Sequence, residues 1–164
     1  MPAGKAGNGK PQKDAQSAPR ETMTAKQIIP AVSVALLRGD RLLLVRRGQA
    51  PSRGFYAFPG GRVETGETLE AAARRELAEE TGLAAGEISP LVMVHVEGDA
   101  VDYNLQVFAG QYAGGEALAA SDADEAAFFT LAEMEKLLVL DSVLQVGRDL
   151  LGPLPGAGSL KKNP

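Results

Sequence analysis

Three glutamates, Glu76, Glu79 and Glu80, fall at i, i+3 and i+4 of the segment LEAAARRELAEET. On a helix this spacing sets three carboxylates along one arc. Charges so placed repel one another unless something positive stands between them. The simplest candidate is a divalent metal ion, which oxygen ligands suit and which commonly serves chemistry on phosphates. A glycine-rich stretch, FPGGRVETGE, runs directly into the segment.

The direction of the carboxylates follows from the helical turn of about 100° per residue. With Leu69 as origin, Ala72, Ala73 and Leu77 lie within roughly 80° of it and form the expected buried stripe. Glu76 and Glu80 lie within about 20° of the same direction, and Glu79 about 80° to one side. Glu70, Arg74 and Thr81 are expected on the solvent side. The glutamates therefore extend the core-facing stripe, where uncompensated charge is costly. They also gather near the helix C-terminus, where the backbone dipole disfavours acidic groups. A glutamate pair on a helix is ordinarily a solvated face, and Arg75 with Glu79 could form an i, i+4 pair worth about 0.2–0.5 kcal/mol. The arc argues against that plain reading here.

The glycine-rich stretch adds to the case. Pro59 keeps the residue before it extended. Gly60 and Gly61 let the backbone bend sharply and come close to a ligand, and a glycine carbonyl there could add an oxygen ligand. Glu67, just ahead of the helix, could reach across the bend to Arg75 and orient the site.

These residues need a scaffold. IIPAVSVALLRGDRLLLVRRG reads as two strands joined at Arg38-Gly39-Asp40-Arg41, a hairpin signal. Residues 47–55 read as a loop and Phe55 to Phe58 as a short strand. The helix is expected over Leu69 to Thr81, with Thr68 as N-cap and Gly82, followed by Leu83, as a left-handed stop. Further strands are expected over 88–96 and 102–112 around Glu97-Gly98-Asp99, and over Ala126 to Phe129. Helices are expected over Leu131 to Leu138 and Ser142 to Leu151. Helices do not alternate with the strands, which argues for an α+β sheet packed by helices.

The 164 residues suit one domain. Residues 1–25 and 152–164 read as disordered tails of small and polar residues, leaving 26–151 as the folded unit. The net charge of −4 implies no large basic surface and so no bulk nucleic-acid partner. With no cysteine, disulfides, thiolate metal sites and cysteine nucleophiles are excluded. The composition is compatible with a reducing cytoplasm. No apolar stretch reaches membrane-spanning length, and the basic N-terminus lacks a signal core.

Gly61, Glu67, Arg75, Glu76, Leu77, Glu79, Glu80, Gly82 and Leu83 reproduce G-x5-E-x7-R-E-U-x-E-E-x-G-U, with U a bulky aliphatic residue. The chain thus resembles the Nudix hydrolase family over about residues 28–130, and FPGG before the box agrees with it. The resemblance implies a mixed β-sheet sandwiched between helices, an α/β/α sandwich. It implies hydrolysis of a nucleoside diphosphate linked to another moiety, with Mg2+ or Mn2+. It assigns the metal to Glu76, Glu79 and Glu80, with the backbone of Gly60 or Gly61 as a further ligand, and an orienting role to Arg75 and Glu67. Attack falls on phosphorus and needs no covalent enzyme intermediate.

Outside the box, the resemblance points to Arg46 or Arg47 for phosphate. Phe55, Tyr56 and Phe58 could offer an aromatic face for a base, with Tyr56 where many relatives carry Trp and Phe58 better suited to the core. The general base is left open among the box glutamates and Asp122, Asp124 and Glu125. His95, in a strand-like run where a histidine is more often structural than catalytic, is assigned no role. An intact box argues against a non-hydrolytic nucleotide sensor, zero cysteines against the isoprenoid isomerase branch, and the acidic balance against removal of RNA caps. ADP-ribose, other nucleotide sugars, dinucleoside polyphosphates and nucleoside triphosphates stay open as substrates, to be read by loops around 47–56, 97–101 and 113–125. Relatives are frequently homodimers, and the chain's own oligomeric state is not legible.

Overall fold

The computed structural model describes residues 25–117 and 123–153, with the side chains of 123 and 124 excepted. The expected tails fall almost wholly outside the described residues. The elements in chain order are β1 (Ile28–Arg38), β2 (Arg41–Arg47), β3 (Tyr56–Ala57), β4 (Gly60–Arg62), α1 (Leu69–Thr81), β5 (Ala84–Val96), β6 (Asp102–Gly114), β7 (Ala123–Thr130), α2 (Leu131–Met134) and α3 (Asp141–Leu151).

The sheet runs β3-β2-β1-β6-β5, with β4 on β1 and β7 on β2. β1 and β6 are parallel, and the other pairings are antiparallel. The hairpin expected at residues 38–41 is present: Arg38 pairs with Arg41, and Gly39 takes φ 63°. Successive residues of a strand face opposite sides, and the two sides carry different helices. Val32, Val34, Leu36 and Leu43 pack with Ala72, Ala73 and Leu77 of α1. Ala35, Leu42, Leu44 and Phe58 pack with Met134, Val143 and Val146 of α2 and α3. The result is the expected α+β sandwich. Leu77, 1% exposed, anchors α1 and contributes about 1.5–3 kcal/mol by burial.

Both caps of α1 match their sequence signals. Thr68 accepts from the Ala71 amide at 3.1 Å, and Gly82 at φ 69° returns its N–H to Ala78. The buried stripe differs from expectation. Thr81, expected in solvent, is fully buried; its hydroxyl donates to the Leu77 carbonyl at 2.6 Å and accepts from the Leu83 amide at 3.2 Å. Leu69, taken as the stripe's centre, is 37% exposed. The chain turns under the helix at Gly82 and buries Leu83, which covers the last turn rather than the first.

Other elements shift for tertiary reasons. Residues 60–62, expected as a bend, form a strand on β1. The helix expected to reach Leu138 stops at Met134. The next residues instead bracket β3: the Tyr56 amide donates to the Leu138 carbonyl at 2.7 Å, and the Leu140 amide donates to Tyr56 at 3.2 Å.

Candidate active site

The short strand β4 seats the glutamates. Bonds from the Val34 amide to Pro59 and from the Val63 amide to Pro30 flank the Val32–Gly61 pair on either side. In an antiparallel ladder these make Val32–Gly61 a hydrogen-bonded pair, so Gly61 turns its carbonyl to β1 and Gly60 turns its peptide groups away from it. The Gly60 amide accordingly donates to Glu80 Oε2 at 3.2 Å. A side chain on Gly61 would collide with the Glu76 carboxylate, and one on Gly60 with the backbone of Val32 and Ser33. Close approach to backbone requires glycine at Gly60, whereas a side chain at Gly61 would displace the Glu76 carboxylate. Of the two glycines expected to offer a backbone oxygen, it is Gly60 whose carbonyl turns out of the ladder, while that of Gly61 is spent on β1.

Arg75 fastens the cluster from the other side. Its Nε and Nη2 form a fork on the two oxygens of Glu67 at 2.8 and 2.9 Å, the pair expected from the sequence. Nη2 also donates to the Arg62 carbonyl at 3.1 Å, which ties α1 to β4. Nη1 donates to Glu76 at 2.8 Å and to Glu79 at 3.2 Å. Bonds to Glu67 and then to Glu76 raise the Arg75 pKa further, so the guanidinium stays charged. The bond from Arg75 first, then one from the Glu64 backbone, lowers the Glu67 pKa.

Burial separates the glutamates. The Glu76 side chain is 15% exposed and that of Glu79 59%, while Glu80 is half-buried. The inward turn expected from the arc holds for Glu76 and Glu80. Among the described residues, no three Asp, Glu or His side chains gather closely enough to hold a metal ion as they stand. Arg75 Nη1 supplies the positive charge between Glu76 and Glu79 instead. The donors nonetheless suit a hard cation: all are oxygens, and Glu76 lies in a cradle that any side chain at Gly61 would fill.

A second group lies where β2 meets β3 and β7. Arg46 pairs across the sheet with Tyr56 on one side and Glu125 on the other. The Tyr56 hydroxyl donates to Glu125 Oε2 at 2.8 Å, and its ring meets Phe129 edge-on at 5.4 Å. Tyr56 is 9% exposed, so its ring belongs to the core and offers no open face for a base. Burial first, and then Glu125, raises its pKa. Phe58 is buried, as expected, and Phe55 is half-buried. Arg47 Nε donates to the Pro51 carbonyl at 3.0 Å, within the 47–55 loop. Asp122 and the side chain of Asp124 lie outside the described residues. His95 bonds Asn104 at 3.0 Å across an exposed strand pair.

Sequence reasoning missed the Tyr56–Glu125 bond and the trough beside α3. The trough, about 290 Å3 in volume, is lined by Leu91, Val92, Val94, Ser142, Gln145 and Val146. A smaller hollow sharing Val94, Ser142 and Val146 continues it to Ser33 and Phe58, and Ser33 is the register partner of Gly60. Alternation along the strands was the available signal, but it needs the pairing to be known.

The NUDIX domain pattern matches residues 28–145. The chain belongs to the NUDIX family. Its similarity to the ADP-ribose pyrophosphatase of Methanocaldococcus jannaschii is 40% identity over 113 residues, 66% of this chain and 66% of that protein. The 8-oxo-dGDP phosphatase of Mus musculus is 32% identical over 93 residues, 57% of this chain and 28% of that protein. The chain therefore spans just under two thirds of the first relative and under a third of the second. Among NUDIX structures, the MutT hydrolase of Burkholderia pseudomallei is 25% identical with a TM-score of 0.67, covering 76% of this chain and 98% of that one.

Proposed function

We propose that the protein is a metal-dependent pyrophosphohydrolase that cleaves a nucleoside diphosphate linked to another moiety, with nucleotide sugars of the ADP-ribose type as its substrates. The observation that carries this reading is the carboxylate cluster of α1, seated on the two glycines of β4 and fastened by Arg75. The similarity to an archaeal ADP-ribose pyrophosphatase supports the substrate class. Glu76, Glu79 and Glu80, with the Gly60 carbonyl, would hold Mg2+ or Mn2+. Such an ion, when bound, neutralises diphosphate charge and lowers the pKa of a bound water.

The chain's own residues do the rest. Arg75 and Glu67 hold the helix against β4 and set the glutamates in place. Arg46 and Arg47 bind phosphate, and the trough beside α3 takes the group beyond it. The water loses its proton to a box glutamate, or to Asp122 or Asp124. A cysteine-free composition supports a cytoplasmic setting.

The test is phosphate release over a nucleotide library with Mg2+ or Mn2+, using Glu79→Gln and Glu80→Gln as controls. Turnover of a nucleoside diphosphate sugar that both variants lose is expected. Full activity in both variants would sink the metal assignment. Tight nucleotide binding without any turnover would instead make the protein a sensor.

A further inference from the structure

Glu125 is an exposed carboxylate with one oxygen already fixed. A carboxylate oxygen accepts, and the Tyr56 hydroxyl is the donor between them. The tyrosine ring cannot drift, because it is buried and packed on Phe129. The carboxylate therefore has a set direction, and its remaining lone pairs have no need of a rotamer search before meeting a ligand. Arg46 stands on the strand between, in register with both residues. Neighbouring strands lie about 4.8 Å apart. A cation and a fixed acceptor thus sit on neighbouring strands.

That juxtaposition selects a chemical shape: an anion joined within a few bonds to hydrogen-bond donors. A ribose 5-phosphate unit has this shape, with vicinal hydroxyls at one end and phosphate at the other. Acidic side chains are suited to ribose hydroxyls in other nucleotide sites for the same reason. The location agrees. Tyr56 precedes Gly60 by four residues, so at most about 14 Å of extended chain separates this group from the glycine that holds Glu80. Tyr56 and Phe58 belong to the same core cluster, and Phe58 borders the hollow that continues the trough.

We propose that Glu125, pinned by Tyr56 and flanked by Arg46, makes the site select ribonucleotides over 2′-deoxyribonucleotides. Arg46 takes the phosphate and Glu125 accepts from the ribose hydroxyls. The proposal rests on the functional reading above and narrows its substrate class. In this role Glu125 is a specificity residue and Tyr56 a positioning residue, and neither exchanges a proton with the attacking water.

The experiment is calorimetric binding of ADP and 2′-deoxy-ADP, each with Mg2+, to the full chain and to Glu125→Gln and Tyr56→Phe. It is read beside the kinetics of ADP-ribose hydrolysis. The unmodified protein is expected to favour ADP by about 10- to 100-fold, the worth of one hydrogen bond to a charged group. Glu125→Gln should bring the two ligands close to equal and raise KM for ADP-ribose with kcat little changed. Tyr56→Phe, which keeps the ring and its packing, should fall between. Equal binding of ADP and 2′-deoxy-ADP by the unmodified protein overturns the inference while leaving pyrophosphohydrolase activity intact. A fall in kcat for Glu125→Gln with the binding ratio unchanged also overturns it, because Glu125 would then be the proton acceptor. Failure to bind ADP or ADP-ribose at all overturns the functional reading itself.

Discussion

The two polar groups of this molecule are built in opposite ways. The cluster around Arg75 is dense: one guanidinium bonds Glu67, Glu76, Glu79 and the Arg62 carbonyl, and two glycines close the far side. The group around Arg46 is sparse: one phenol–carboxylate bond joins two strands, with an arginine on the strand between. The dense cluster has many ways to keep its geometry and little freedom to change it. Among the described residues the sparse group depends on a single hydroxyl, and its carboxylate is exposed. Conserving a reaction suits the first kind of construction, and adjusting a substrate suits the second.

The largest effect expected to break this contrast is on catalysis. Glu80→Gln should lower kcat for a nucleoside diphosphate sugar by about 100- to 1000-fold, the scale for removing one electrostatic stabiliser of a transition state. Steady-state kinetics with Mg2+ checks it, and a change confined to KM would move Glu80 out of the reaction centre. Arg75→Lys keeps the charge but loses the fork on Glu67, and should cost about 10- to 100-fold. Activity near that of the parent would mean that charge alone suffices and the dense network is redundant.

Smaller effects are on stability. Gly60→Ala forces a methyl onto the Val32 and Ser33 backbone and should destabilise by about 1–3 kcal/mol in urea unfolding. Tyr56→Phe loses one hydrogen bond and should cost about 1 kcal/mol or less; a larger loss would show that the sparse group also supports the fold. The smallest effect is on pH dependence. The folded Glu67 pKa lies below the ordinary 4.5, so its contribution is present above that value and is lost as pH falls through the folded pKa. Glu67→Gln should therefore flatten the fall in stability below about pH 4.5, read from melting temperatures across an acid series.

The same contrast explains what could be read from the sequence. The span of α1, its Thr68 and Gly82 caps and the Glu67–Arg75 pair follow from residues at most eight positions apart. Helix geometry fixes such distances by itself. The Thr81 assignment failed because burial of the last turn depends on how the chain returns through Leu83. The extended helix after Leu131 failed because bonds to Tyr56, some eighty positions away, outweigh local helical preference. The seat at β4 was legible as glycine, but its role as a strand was not, since only β1 gives it a ladder. Tyr56 was expected to offer its ring to a base but packs into the core, and its hydroxyl partner lies 69 positions away, on a strand whose register no local pattern specifies.

The parallel pairing of β1 with β6 bears on how the protein is made. Val32 finds its partner Gln106 only after 74 further residues have left the ribosome. Hairpin β1–β2 and helix α1 can form early from neighbouring segments, but the sheet that presents β4 to the helix closes only when β6 arrives. Pairings of such long range slow folding. Synthesis therefore finishes the helix that carries the carboxylates long before the strand that braces its seat, and a truncated chain ending before residue 102 would carry the entire box without the strand that completes its support.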